Sequence, residues 1–355
     1  MTWRLPPLSV GEFAPPFDGV SRPNPRFHSG ALGGRYVLLA FAPDAPARTA
    51  AMAAFDAART QFDGVRLGAV FVGRATSFDQ LPPDAPPGLH WLLDPDGAIA
   101  ARFRPDEGWL LLDPALRVLD RAPLGDPAEL FARLPGLPAP GREGGAPAVA
   151  PALIVPRVFE PDLCRTLIDV YEAQGGQPSG VMRDIDGRTV GVLDGMKSRR
   201  DVMVEDEDLQ ARIREALSAS LIPMIARTYQ FQATRLERFL VACYDAGEGG
   251  YFRPHRDNLT IATAHRRFAV SINLNAEAFR GGDLRFPEFG ARTYRPPTGG
   301  AVVFACSLLH EATPVTQGRR YAFLPFLYDE AGQMIRDQAI RDAAVPKPGP
   351  LPPAP

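Results

Sequence analysis

His255 and Asp257 stand one residue apart in Tyr251-Phe-Arg-Pro-His255-Arg-Asp257. On extended backbone, residues i and i+2 point to the same side, so this spacing presents an imidazole and a carboxylate together. A third donor must then come from another strand. His310 is the candidate, because it follows Gly300-Ala-Val-Val-Phe-Ala-Cys-Ser-Leu-Leu309, an apolar run that reads as a buried strand. Two imidazoles and a carboxylate on one face of an octahedron suit Fe(II) with open positions, although the same donors also take Zn, Co, Ni or Mn. Arg319 and Arg320 open a further predicted strand, Tyr321 to Tyr328. A buried arginine there can hold a dicarboxylate through its guanidinium fork. Strand period places Arg319 and Arg320 on opposite faces and does not choose between them.

A His-x-Asp pair alone is weak: 5 His and 41 acidic residues give about 0.6 His-x-Asp/Glu pairs by chance. The flanking residues add specificity. Tyr244-Asp-Ala-Gly247, Gly250 to Asp257, Leu274-Asn275, Gly281-Gly-Asp-Leu-Arg-Phe286, Gly299-Gly-Ala-Val-Val-Phe304, His310-Glu-Ala-Thr-Pro-Val315 and Gly318-Arg-Arg-Tyr321 occur in this order. In them the chain resembles the prolyl-4-hydroxylase-like Fe(II)/2-oxoglutarate dioxygenases. The resemblance implies a double-stranded β-helix, or jelly roll, with His255, Asp257 and His310 as iron ligands. It implies Arg320 as the residue that binds the distal carboxylate of 2-oxoglutarate, and Tyr244 as a residue that bonds the co-substrate or lines its pocket. The co-substrates it implies are 2-oxoglutarate and O2, with ascorbate as reductant and succinate and CO2 as products. The hydroxylated group would be a protein residue or a small molecule. Asp257 is intact, which disfavours the related halogenases. A non-catalytic metal-binding scaffold that keeps the fold is the rival reading.

From Leu236 the chain reads as short alternating strands. Phe268, Val270, Ile272 and Leu274 alternate with Ala269, Ser271, Asn273 and Asn275, so Asn273 is expected on a polar pocket wall. His265, beside Arg266 and Arg267, is expected in a solvated loop; His28 and His90 have no assigned partner. Arg199, Arg200, Arg253, Arg256 and Arg285 are read chiefly as solvated surface, with a positive pocket mouth as the alternative.

At 355 residues the chain is long enough for two domains. Residues 1–134 alternate strands with helices, an α/β pattern: strands at 36–41, 65–72, 91–93 and 109–112, a helix from Arg48 to Phe62, and a last helix capped by Asp126. Val10-Gly-Glu-Phe-Ala-Pro-Pro-Phe17, Phe41-Ala-Pro43, Leu93-Asp-Pro-Asp-Gly97 and Leu112 to Leu119 resemble the peroxiredoxin branch of the thioredoxin-like fold. The segment where its reactive thiol belongs, Ala42 to Thr49, has no cysteine, and neither does the rest of residues 1–150. Thiol peroxidase and disulfide exchange are therefore excluded for this domain. Residues 135–150 are a Pro/Gly/Ala-rich linker. The second domain, 151–343, is read as α+β, its jelly roll buttressed by helices at 160–171 and 208–229, with Pro223 kinking or dividing the second. Residues 174–188 are read as a loop able to form a substrate-facing hairpin, and 344–355 as a Pro-rich tail.

A net charge of −2 makes no electrostatic case for nucleic acid or an anionic membrane. No apolar run is long enough to span a bilayer. The three cysteines (Cys164, Cys243 and Cys306) are odd in number and lie in apolar contexts, so they are expected to be buried, reduced thiols. With no signal pattern at the N-terminus, a cytoplasmic protein is expected. Peroxiredoxin-like domains often pair, which leaves a homodimer open.

Overall fold

The computed structural model describes residues 8–25, 27–103, 108–185 and 187–344. The expected Pro-rich tail lies, from residue 345, outside the described residues. The chain divides into two compact units: residues 1–150 with 286–292, and residues 151–285 with 293–355.

The first unit is a mixed seven-stranded sheet. Along the chain come β1 (Asp18–Ser21), β2 (Phe27–His28), β3 (Tyr36–Ala42), helix α1 (Ala45–Ala57), β4 (Leu67–Gly73), β5 (Leu89–Leu93), α2 (Ala98–Phe103), β6 (Gly108–Leu112), β7 (Val118–Ala122) and α3 (Ala128–Arg133). Their order in the sheet is β2-β1-β5-β4-β3-β6-β7, with β3, β4 and β5 parallel and the other pairings antiparallel. β3 is buried on both faces, which is why it reads as a continuous apolar run. Tyr36, Leu38 and Ala40 pack with Phe55 of α1, while Val37, Leu39 and Phe41 pack with Ile99 and Phe103 of α2. Two expectations shift here. α1 begins at Ala45 because Asp44 caps it, accepting from the Ala47 N–H at 2.8 Å. Asp126 caps nothing: Pro127 holds the cap position of α3 without a side-chain bond.

The second unit is built of antiparallel strands and helices. β8 (Leu153–Val155) precedes α4 (Pro161–Gln174), whose Leu163, Leu167 and Tyr171 are buried. Then come β9 (Gln177–Pro178), β10 (Val181–Ile185), β11 (Arg188–Val192), β12 (Lys197–Ser198) and β13 (Arg200–Met203). The expected loop over 174–188 is thus largely a β10/β11 hairpin reaching Val192. The expected helix over 208–229 is divided into α5 (Glu207–Ala216), a π turn (Leu217–Leu221) and α6 (Ile222–Tyr229). Pro223 supplies no N–H to the turn before it, and the wider turn takes up that break.

The remaining strands are β14 (Arg235–Glu237), β15 (Leu240–Asp245), β16 (Tyr251–His255), β17 (Phe268–Asn273), β18 (Arg280–Gly281), β19 (Leu284–Arg285), β20 (Thr293–Tyr294), β21 (Ala301–Ala305), β22 (His310–Ala312), β23 (Val315–Gln317), β24 (Arg319–Phe323) and β25 (Phe326–Tyr328), before helix α7 (Glu330–Ala344). A larger sheet runs β14-β25-β17-β24-β15-β13-β9 and adds β21 and β8; a smaller one runs β12-β16-β22-β19-β20. Successive strands cross between the sheets: β15 to β16, and β21 to β22. That alternation is what a jelly roll requires. The strand expected over Tyr321–Tyr328 breaks at Leu324-Pro325, and the one expected over Gly300–Leu309 stops at Ala305.

Candidate metal centre and anion pocket

On the smaller sheet, β16 and β22 pair so that His255 and His310 lie directly opposite each other. The register slips between Phe252 and His255, where Pro254 has no N–H to give the ladder. Asp257 is not on the extended strand that its spacing suggested. It sits in the turn after β16, its N–H donating to the Cys306 carbonyl at 2.9 Å and its own carbonyl accepting from Arg266 Nη1 at 3.3 Å. The turn still delivers the carboxylate. Donor atoms of His255, Asp257 and His310 all lie within 4.8 Å of one another, with Asp257 oxygens 3.6 Å from His255 Nε2 and 3.3 Å from His310 Nε2.

Both imidazoles are oriented by main chain. His255 Nδ1 is 2.8 Å from the Arg253 carbonyl, and His310 Nδ1 is 3.1 Å from that of Leu308. A carbonyl only accepts, so each Nδ1 carries a proton and each Nε2 faces Asp257. Phe252 stacks on His255 at 3.4 Å between centroids, and Phe304 lies 4.5 Å from His310. Burial and the neighbouring His255 pull the His310 imidazole down to about 4. Burial pushes the Asp257 carboxyl up, but His310, His255 and Arg266 outweigh it and hold the group well below the usual carboxylate range. A neutral imidazole beside an ionised carboxylate is the protonation state that a divalent cation needs.

Arg266 belongs to a buried network that sequence reading missed. Its Nε and Nη2 donate to Glu237 at 2.8 and 2.5 Å, and His265 Nε2 donates to the same carboxylate at 2.8 Å. His265 is therefore buried in an ion cluster rather than solvated in a loop. The only sequence hint was a histidine placed next to two arginines.

The larger sheet supplies the second element. Tyr244 on β15 lies directly opposite Arg320 on β24. Arg320 is 3% exposed, whereas Arg319 points outward to Asp245 and Glu172. Strand period had placed the two on opposite faces; burial decides which one looks inward. Arg320 Nη2 donates to Ser271 Oγ at 2.8 Å and Nε to Asn273 Oδ1 at 3.3 Å, while its guanidinium lies 5.2 Å from the Tyr244 ring centre. Among the described residues no carboxylate pairs with it. Asn273, expected on a pocket wall, thus holds this guanidinium and donates to the Pro296 carbonyl at 2.9 Å. Gly282, at φ +68°, keeps this corner open; a Cβ there would meet Val315 and approach Arg320 Cδ to 3.2 Å.

The other expectations divide. Arg199 is buried against Asp201, not solvated, and Arg285 pairs with Glu311. Arg253 lies over the Tyr251 ring, Arg256 donates to the Ser307 carbonyl, and Arg200 reaches Glu248 at 4.0 Å. His28 accepts from the Gly30 N–H, and His90 lies 3.5 Å from Asp84. All three cysteines are buried and free. The β10/β11 hairpin reaches the turn after the triad: Asp184 and Thr189 accept from the N–H groups of Ile261 and Ala262, both at 3.0 Å. No helix among the described residues is long and apolar enough to cross a membrane.

Comparison with known proteins agrees with this geometry. Residues 239–328 match the 2OG-Fe(II) oxygenase superfamily. The chain is 26% identical over 139 residues to a PKHD-type hydroxylase of Synechococcus sp. (strain JA-3-3Ab), covering 38% of this chain and 59% of the relative. It is 27% identical over 169 residues to one of Hyphomonas neptunium, covering 45% and 69%. It therefore spans less than two thirds of the length of the Synechococcus relative. Among solved structures, a prolyl hydroxylase in complex with a hypoxia-inducible-factor peptide fragment, from Trichoplax adhaerens, aligns at a TM-score of 0.41 and 17% identity over 52% of this chain and 86% of that one. A Pseudomonas putida prolyl-4-hydroxylase aligns at 0.38 and 18%, over 51% and 93%. For the N-terminal region, a putative protein disulfide isomerase from Bacteroides thetaiotaomicron aligns at 0.31 and 17%, over 36% and 87%. The family match thus lies, residues 286–292 apart, within the second unit.

Proposed function

We propose that this protein is an Fe(II)- and 2-oxoglutarate-dependent hydroxylase acting on a protein residue or a small molecule. The observation that carries the reading is the convergence of His255, Asp257 and His310 within 4.8 Å, in the same unit as a buried guanidinium, Arg320, that pairs with no carboxylate among the described residues. The donor set fits the metal: two imidazoles whose Nε2 atoms face one ionised carboxylate, with no fourth His, Cys, Asp or Glu grouped with them among the described residues. An iron bound there, with 2-oxoglutarate and O2, supplies the oxidising chemistry that releases succinate and CO2 as the substrate is hydroxylated.

The chain's own residues do the rest. His255, Asp257 and His310 bind the cation. The carbonyls of Arg253 and Leu308 keep the two rings turned toward it. Arg320 receives the far carboxylate of the co-substrate, held in place by Ser271 and Asn273. Burial strengthens that ionic contact by excluding water. Tyr244, between Arg320 and Arg199, adds a hydroxyl at the same place. The first unit, which has no cysteine, takes no part in electron transfer; a thioredoxin-like structural or substrate-recruiting module is the role proposed for it.

The test is succinate production by metal-stripped protein given Fe(II), ascorbate and 2-oxoglutarate, with His255→Ala and Arg320→Ala alongside. Turnover in the wild type alone is expected. Failure of the wild type to bind a divalent metal would replace this reading with that of a non-catalytic scaffold.

A further inference from the structure

The chain contains 37 arginines and two lysines, Lys197 and Lys347. Lys347 lies in the Pro-rich tail. Among the described residues every Lys or Arg position is arginine except Lys197. That residue lies on β12 beside the triad, directly opposite Phe252, and its ammonium sits 4.9 Å from the centre of the Phe252 ring that stacks on His255. Among the described residues its donors reach neutral oxygens: Ser179 Oγ at 2.9 Å and the Gly180 carbonyl.

The cations around it are accounted for differently. Arg199 pairs with Asp201 at 2.5 Å, Arg266 with Glu237, and Arg295 with Asp283. Arg320 lacks a carboxylate, and the co-substrate is proposed to bring one. Lys197 likewise pairs with no carboxylate among the described residues. Two further atoms in the cluster point the same way. Arg199 Nε and Asp201 Oδ1 are both buried without a hydrogen-bond partner, an arrangement that proteins rarely leave uncompensated. Lys197, Arg199 and Asp201 alternate along one extended segment, so all three face the same side.

We infer that Lys197, backed by Arg199, is a receptor for a carboxylate on the primary substrate, with Asp201 Oδ1 accepting from a donor group beside it. This rests on the oxygenase reading above. The carboxylate belongs either to a small organic acid or to an acidic peptide side chain. Lysine suits the position better than arginine for a physical reason. Burial, reinforced by Arg199 and Arg238 and opposed by Asp201 and Asp257, pulls the Lys197 ammonium down to about 6. With no anion bound, the lysine can therefore shed its proton near neutrality, whereas a guanidinium would stay charged. Binding of a carboxylate then takes up a proton, and affinity falls as pH rises above about 6.

The experiment is calorimetry on the full chain loaded with Zn(II), which does not turn over, and 2-oxoglutarate. The probes are acetate and N-acetyl-Gly-Glu-Gly-amide, against acetamide and N-acetyl-Gly-Gln-Gly-amide. At least one acid should bind about tenfold or more tighter than its amide. Lys197→Met should erase that preference. Lys197→Arg should keep it but abolish the proton uptake, read as heat that no longer depends on the buffer. Tighter acetate would point to small acids, and a tighter peptide to an acidic protein segment. No acid preference in the wild type, or the same preference in Lys197→Met, overturns the inference. Wild type that fails to take up Zn(II) and 2-oxoglutarate would instead sink the oxygenase reading, so the two failures are distinct.

Discussion

The two units bury charge in opposite ways. In the first, the interior is aromatic and aliphatic: Phe71 meets Trp91, Trp109 and Phe55 edge to face, with centroids 5.2, 5.5 and 5.9 Å apart. Its buried carboxylates serve local backbone. Asp94 accepts from the N–H groups of Ile99 and Ala100 at the start of α2, and Asp113 accepts from those of Ala115 and Arg117 in a turn while also pairing with the half-exposed Arg117 guanidinium at 2.8 Å. In the second unit, Arg199, His265, Arg266, His310, Glu311 and Arg320 are all buried. A carboxylate tied to N–H groups finishes a turn and asks for nothing more. A buried guanidinium or ammonium with no counter-charge is costly unless something arrives to pair with it. The contrast is the one expected if the second unit carries the proposed chemistry.

The comparison can be broken most directly at the triad. Asp257→Ala should abolish binding of Mn(II) or Co(II), a loss beyond the roughly 10–100-fold typical of outer partners, while the tryptophan fluorescence melt is unchanged. All three tryptophans lie before residue 110, so that signal follows the first unit. Phe71→Ala tests the reverse. It should destabilise the first unit by about 3–5 kcal/mol in a denaturant titration followed by tryptophan, with metal affinity retained. Loss of metal binding there would mean that the units are not separable in this way.

Acid should act on the second unit through Glu237. Burial raises this carboxyl, but His265 and Arg266 dominate and bring it down to about 2. A group whose folded pKa is depressed contributes stability above its unfolded value, and that stability is lost as pH falls through the folded one. The stabilisation, about 3 kcal/mol at most, should therefore be full above about pH 5 and vanish toward pH 2. Glu237→Gln should flatten that part of the stability profile, measured by urea unfolding of metal-free protein with a far-ultraviolet probe. A profile identical to wild type would remove Glu237 from the account. The smallest effect is Arg320→Met. Loss of one charge-assisted contact of about 1.5–3 kcal/mol should weaken 2-oxoglutarate binding roughly 10–100-fold and leave metal affinity in place.

The reach of the sequence differs between elements for physical reasons. His255, Asp257 and His310 were legible because short motifs sit at fixed offsets and strand period is local. Tyr36–Ala42 was legible because a strand buried on both faces has no polar residue to interrupt it. The π turn at Leu217–Leu221 and the break at Leu324-Pro325 were less so, since hydrophobic spacing runs straight through both. Asp257 reached its place by a route that spacing alone did not reveal: a turn anchored on Cys306 replaced the extended strand.

By itself the sequence determined the donor chemistry of the site, the exclusion of thiol chemistry from residues 1–150, and the division between an α/β half and a strand-rich half. These follow from residue type and local period. Only the tertiary structure decided that Arg320 and not Arg319 turns inward, that His265 is locked to Glu237, and that Lys197 lies against Phe252 with its ammonium on Ser179 and Gly180. Those outcomes depend on which strands become neighbours, and on the desolvation and charge that distant segments impose once they meet.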